Sequence, residues 1–210
     1  MTTTLRTFEV KDGWPALRER LTGRLPADHL LLLDDAVDFA RLRHADQVRP
    51  AGEPYLEHLL EVVSVLAEAI GTTDVDVLRA GVLHDVVEDT DCSLDEVRDR
   101  FGDRVAVLVD WVTKPPAAPG QSSASVRTAY LARLRDAPAD VLLVKLADRL
   151  SNVQRLDSHP RPVKRRAYYQ ETVATIVPLA QSHPWFRTWY TTWRAAFGHL
   201  AAEPSQALPG

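Results

Sequence analysis

The chain has 210 residues, 45% hydrophobic and 26% charged, with 25 Lys and Arg against 29 Asp and Glu for a formal net charge of −4. That length buries a core without disulfides or structural zinc, and the balance lacks the basic excess of a duplex nucleic-acid binder. The single Cys92 excludes an internal disulfide and suits a reducing compartment. The first residues, Met1-Thr2-Thr3-Thr4-Leu5-Arg6, have no apolar signal core, and the apolar runs fall short of a membrane span, so a cytoplasmic protein without membrane contact is expected.

Residues 1–27 are expected to form an N-terminal extension to a domain spanning 28–184. Helical periodicity dominates and no segment alternates like a strand, which predicts an all-α fold. Leu30, Leu33, Val37 and Ala40 make one stripe over 28–45, and Leu59, Val62, Val63 and Leu66 make another over 55–70 before Gly71. A third helix is predicted from Asp74 to Val87. Ser93 and Glu96 have capping-box spacing, Phe101-Gly102 ends the short helix they open, and 103–113 reads as helix again. Pro115 to Ser123 forms a loop, and 125–136, 139–156, 163–181 and 185–201 are further predicted helices. Trp185, Trp189 and Trp193 recur every four residues, as aromatics do when they pack on a core or on a partner subunit, so a homo-oligomer is compatible with this stripe. Residues 185–210 are expected to form this aromatic helix and a tail packed on the domain. No base-activated nucleophile is expected at Cys92.

His84-Asp85-Val86-Val87-Glu88-Asp89 sets an imidazole and three carboxylates among aliphatic residues, and buried charges must be paired or metal-bound. On a continuous helix His84 would share a face with Glu88, and Asp85 with Asp89. His58, His84, Asp85 and Asp148 make a candidate ligand set from three helices. Its two imidazoles and two carboxylates, without thiolate, suit Mn²⁺, Fe²⁺ or another divalent ion and leave positions for water and substrate. Each residue alone has a bland alternative: His58 as a helix-face histidine, Asp148 as the helical partner of Lys145 or Arg149. An acidic metal centre repels a polyanion unless cations offset its field, and Arg49, Lys145 and Arg149 are candidates for that task, with solvated or structurally paired helix charge as the alternative.

Three ordered motifs, Gly52-Glu53-Pro54-Tyr55-Leu56-Glu57-His58, Val82-Leu83-His84-Asp85-Val86-Val87-Glu88-Asp89 and Val144-Lys145-Leu146-Ala147-Asp148-Arg149-Leu150-Ser151-Asn152, resemble the hydrolase domain of RelA/SpoT-type alarmone enzymes, a branch of the HD-domain superfamily. The resemblance runs from about Asp34 to Leu179 and implies an HD-type helical bundle. It also implies Mn²⁺ on His58, His84, Asp85 and Asp148, a catalytic acidic pair in Glu88 and Asp89, and hydrolysis of the 3′-pyrophosphate of ppGpp or pppGpp. Arg49 matches an arginine near the guanine base, Lys145 sits in the matched Lys-Leu-Ala-Asp motif, and Asn152 matches a nucleoside-contacting asparagine. The extent of the match points to a free-standing small alarmone hydrolase. Pro50, Ala51 and Gln154 depart from the family pattern where lysine, serine and arginine are usual, and Leu59 stands where proline is usual. Those departures keep two alternatives open: another nucleotide phosphate such as ppApp or NADPH as substrate, and a non-catalytic nucleotide-binding module.

Overall fold

The computed structural model describes residues 4–201; the expected tail beyond residue 201 lies outside them. Every regular element among the described residues is helical. An irregular segment over residues 4–10 leads into α1 (Gly13–Leu21) and α2 (Ala27–His44). Then come α3 (Tyr55–Ser64), extended by a π-helical stretch Val65–Ile70, α4 (Val75–Leu83), α5 (Val86–Asp89), α6 (Leu94–Phe101) and α7 (Asp103–Val112). Beyond the proline-rich loop lie α8 (Ser123–Arg133), α9 (Ala139–Val153) and α10 (Pro162–Glu171). A second π-helical stretch, Thr172–Ile176, runs into α11 (Val177–Ala180), and α12 (Pro184–Ala196) follows.

A strongly apolar helix sits at the centre. α4 is buried from Val77 through Leu83 and packs against α2, α3, α7 and α9. Its approach to α3 is close enough that a Cβ at Gly81 would stand 2.8 Å from Leu66 Cδ1 and 3.4 Å from Val62 Cγ1. A side chain there would require the Leu66 side chain to shift at the seam between helices that carry two of the candidate ligands. The predicted stripes of α2 and α3 are buried, and Gly71 ends the second of them in the left-handed region at φ 78°.

Three local expectations are corrected. The predicted helix Asp74–Val87 is interrupted at His84-Asp85, because the His84 ring turns back to the Gly81 carbonyl and Asp85 adopts φ −103°, ψ −4°. The Ser93 hydroxyl accepts the Glu96 N–H at 3.1 Å, but the Glu96 carboxylate goes to Arg43, so only half the capping box forms. Helix α1 was not predicted; it buries Leu17 and Leu21 and ties Arg18 to Asp34 on α2.

The aromatic stripe is largely core. Trp193 and Tyr190 are fully buried, and they donate to the Val153 and Leu146 carbonyls of α9 at 2.9 and 2.8 Å. Trp189 donates to the Arg6 carbonyl at 2.7 Å and so pins the irregular N-terminal segment. Cys92 is buried and its thiol is pushed up to about 11, first by burial, which leaves it inert as a nucleophile.

Glu171 holds α8, α9 and α10 together by accepting from both Arg127 and Arg149. Burial alone would raise its pKa, but the two guanidiniums outweigh burial and bring it down to about 2. The stabilisation is therefore complete above the ordinary carboxylate value of 4.5 and is lost as pH falls from there towards about 2. Glu171→Gln is expected to cost about 3 kcal/mol at neutral pH, because it strands the buried Arg149. Thermal melts of both proteins should show the gap closing across that acidic window, and a gap independent of pH would contradict this assignment.

Candidate metal centre and groove

The three motifs converge. His58 comes from α3, His84 from the end of α4, Asp85 from the break after it and Asp148 from α9. The two imidazole Nε2 atoms face each other at 3.2 Å. Asp85 Oδ2 lies 3.0 Å from His84 Nε2 and 3.4 Å from His58 Nε2, and Asp148 Oδ1 lies 3.7 and 3.5 Å from the same two atoms. Donors about 2.1 Å from a shared ion stand roughly 3.0 to 3.4 Å apart in octahedral and tetrahedral geometry. His58, His84 and Asp85 fit that spacing and form a group able to hold a divalent metal ion, and Asp148 stands slightly farther out. The interruption of the helix is what makes it possible, since it swings Asp85 towards the imidazoles while Val86 stays in the core.

The surroundings prepare each donor. His84 Nδ1 donates to the Gly81 carbonyl at 2.9 Å, which points Nε2 inward. Lys145 Nζ at 2.7 Å and Asn152 Nδ2 at 2.6 Å hold the two oxygens of Asp148. Burial opposes charge on Asp85 and Asp148. His84 and His58 outweigh it at Asp85, Lys145 and His84 outweigh it at Asp148, and both carboxyls sit well below the usual range. Burial also opposes a proton on His84, yet Asp85 and Asp148 hold its pKa well above the ordinary value, so the pocket selects positive charge.

The acidic pair does not act as one face. Glu88 accepts the backbone N–H of Lys114 at 2.9 Å and pairs with the Lys114 ammonium. Asp89 turns instead to Tyr55, whose hydroxyl lies 2.8 Å from Asp89 Oδ2 and 2.6 Å from Asp85 Oδ2. One phenolic proton serves only one of two carboxylates at a time, so Tyr55 is shared between Asp85 and Asp89. Burial first, then Asp85, raises the Asp89 pKa. His44 stacks on the Tyr55 ring at 4.7 Å and fixes it. Tyr55 and Lys114 were not singled out from sequence, although Tyr55 lies inside the Gly52–His58 motif.

These groups open into a cavity of about 190 Å³ that Lys145, Arg149, Arg127 and Tyr168 also line. Arg149 lines it while donating to Glu171, with its guanidinium 5.6 Å from the Tyr168 ring centre. Asn152 continues it to a recess lined by Arg49, Pro50 and Ala51. Arg49 is tied down by Glu61 at 3.1 Å, the Ser151 carbonyl at 3.3 Å and Asn152 Oδ1 at 3.4 Å. Gln154, expected to alter the nucleotide pocket, is buried instead between the Phe8 backbone and Glu61. A larger apolar depression of about 490 Å³ between Leu5 and Trp185 shares no lining residue with the groove.

Helical architecture and a histidine–aspartate centre between α3, α4 and α9 are features of one class of protein, and the HD-domain profile matches residues 36–185. The chain belongs to the HD-domain family. It is 40% identical over 164 residues to the guanosine-3′,5′-bis(diphosphate) 3′-pyrophosphohydrolase of Aquifex aeolicus, an alignment covering 77% of this chain and 23% of that protein. It is 36% identical over 170 residues to the bifunctional (p)ppGpp synthase/hydrolase SpoT of Escherichia coli K12, covering 79% of this chain and 24% of that one. The chain thus spans about a quarter of the length of these two curated relatives. A solved structure of a metazoan ortholog of SpoT that hydrolyzes ppGpp superposes with a TM-score of 0.72 at 26% identity, covering 80% of this chain and 96% of that one. No helix among the described residues is long and apolar enough to cross a membrane.

Proposed function

We propose that the chain is a metal-dependent phosphohydrolase that removes the 3′-pyrophosphate of ppGpp or pppGpp, giving GDP or GTP and pyrophosphate. One observation carries the reading: the His58, His84 and Asp85 cluster, with Asp148 beside it, opens into a groove lined by both an acidic pair and cations. The named activities of the Aquifex and metazoan relatives support the substrate.

His58, His84, Asp85 and Asp148 would hold Mn²⁺, a borderline ion suited to mixed imidazole and carboxylate donors. A divalent ion in that place activates water near neutral pH and offsets phosphate charge. Asp89 is the group that takes and returns a proton, because the hydroxyl of Tyr55 connects it to the cluster and its own pKa is raised. Glu88 fixes Lys114 at the groove rim, where the ammonium meets an incoming phosphate. Lys145 and Arg149 face the phosphates, while Arg49 and Asn152 receive the nucleoside end.

Pro50 and Ala51 line the recess beside Arg49, and they favour a second reading in which the same chemistry acts on another nucleotide such as ppApp or NADPH. Steady-state kinetics on ppGpp, pppGpp, ppApp and NADPH separate the two. Selectivity for the guanosine 3′-pyrophosphates is expected, and preference for a nucleotide lacking a 3′-pyrophosphate would overturn the alarmone reading while leaving the metallohydrolase. In the same assay Arg49→Ala should raise KM more than it lowers kcat, whereas Lys145→Ala should lower both kcat and kcat/KM. The reverse pattern would exchange the two roles. Absence of turnover on every nucleotide, with binding retained, would favour a non-catalytic module.

A further inference from the structure

Glu61 is a carboxylate inside the apolar run Leu59-Leu60-Glu61-Val62-Val63, three residues after His58 on the same face of α3, and it is 1% exposed. No role follows for it from the groove or from the donor cluster. Yet its contacts are numerous and directed. Oε1 accepts from Arg155 at 2.7 Å, and Oε2 accepts from Arg49 at 3.1 Å, from Gln154 at 2.9 Å and from the Ser151 hydroxyl. Ser151 Oγ in turn lies 2.8 Å from His58 Nδ1.

Proton counting gives this chain of contacts a direction. A serine hydroxyl has one proton and spare lone pairs, and an ionised carboxylate only accepts. The proton on Ser151 therefore points to Glu61, leaving Ser151 to accept from His58 Nδ1–H. A neutral imidazole with its proton on Nδ1 presents the lone pair of Nε2, the atom aimed at His84, Asp85 and Asp148. Burying a carboxylate here without compensation would be costly, and the guanidiniums of Arg49 and Arg155 supply that compensation.

We propose that Glu61, acting through Ser151, is a positioning residue that locks His58 in its metal-binding tautomer. The relay rests on the reading of His58 as a ligand. It also connects the groove to the centre, since Arg49 bonds Glu61 while lining the nucleotide recess. Gln154 holds Glu61 with the same amide that clasps the Phe8 backbone, which anchors the N-terminal segment to the relay.

The test measures Mn²⁺ affinity by chelator competition and the His58 tautomer by long-range ¹H–¹⁵N NMR on the metal-free full chain, for wild type, Ser151→Ala and Glu61→Gln. The wild type should show His58 protonated on Nδ1. Both variants should lose roughly tenfold to a hundredfold in Mn²⁺ affinity, with mixed or reversed His58 tautomers and unchanged helical circular dichroism. A purely structural role would leave the tautomer signal where it is. If Glu61→Gln fails to fold, Ser151→Ala, which removes only one oxygen, decides alone. Wild-type affinity and tautomer in a folded variant overturn the relay and leave the metal site standing; a wild-type protein that binds no divalent ion overturns the site reading and the relay together.

Discussion

His84→Ala and Asp148→Ala proteins should each purify with less than about a tenth of the bound divalent metal of wild type and show no measurable nucleotide hydrolysis, as expected when one donor of four is removed from an N/O site. The effect is large because both residues serve twice. His84 Nε2 is within 3.7 Å of both carboxylates and of His58, so its loss opens the centre of the cluster. Asp148 also neutralises the buried Lys145, so Asp148→Ala should lower the melting temperature as well, through an uncompensated buried ammonium. Elemental analysis with melting curves checks both points. Full metal content in either variant would show that the ion sits elsewhere.

Asp89→Asn should keep metal and fold while turnover falls on the order of a hundredfold or more, the usual contribution of a positioned acid or base. An asparagine preserves the shape beside Tyr55 but can neither take nor return a proton. Glu88→Gln should also reduce turnover by a different route, because the Lys114 ammonium loses its partner and its place at the groove rim. The two routes separate kinetically: Asp89→Asn lowers kcat with KM nearly constant, whereas Glu88→Gln shifts KM as well. Wild-type kcat in Asp89→Asn would remove that residue from proton transfer.

Much of the site is visible in the residues themselves. Aliphatic periodicity marks α2, α3 and α9, and the ligand-type residues stand on or beside apolar helices, so an all-helical HD domain and the convergence of His58, His84, Asp85 and Asp148 follow from pattern and motif. The break at His84-Asp85 does not, because nothing in the local sequence resembles a helix terminator. It arises from a tertiary demand: Asp85 has to turn inward, and the ring of His84 satisfies the Gly81 carbonyl as it does so. The pairing of Glu88 with Lys114, of Asp89 with Tyr55 and of Gln154 with Phe8 joins residues 26, 34 and 146 positions apart. Periodicity carries no information over such separations. Gln154 is the instructive case: it stands where the family usually carries arginine, which points to the nucleotide pocket, and the fold uses it to satisfy buried backbone groups.

The central claim is decided by incubating the Mn²⁺-loaded protein with ppGpp and identifying the products by mass. The proposed chemistry predicts GDP and pyrophosphate in equal amounts, formed by wild type and not by Asp148→Ala; unchanged ppGpp, or orthophosphate without pyrophosphate, would contradict it.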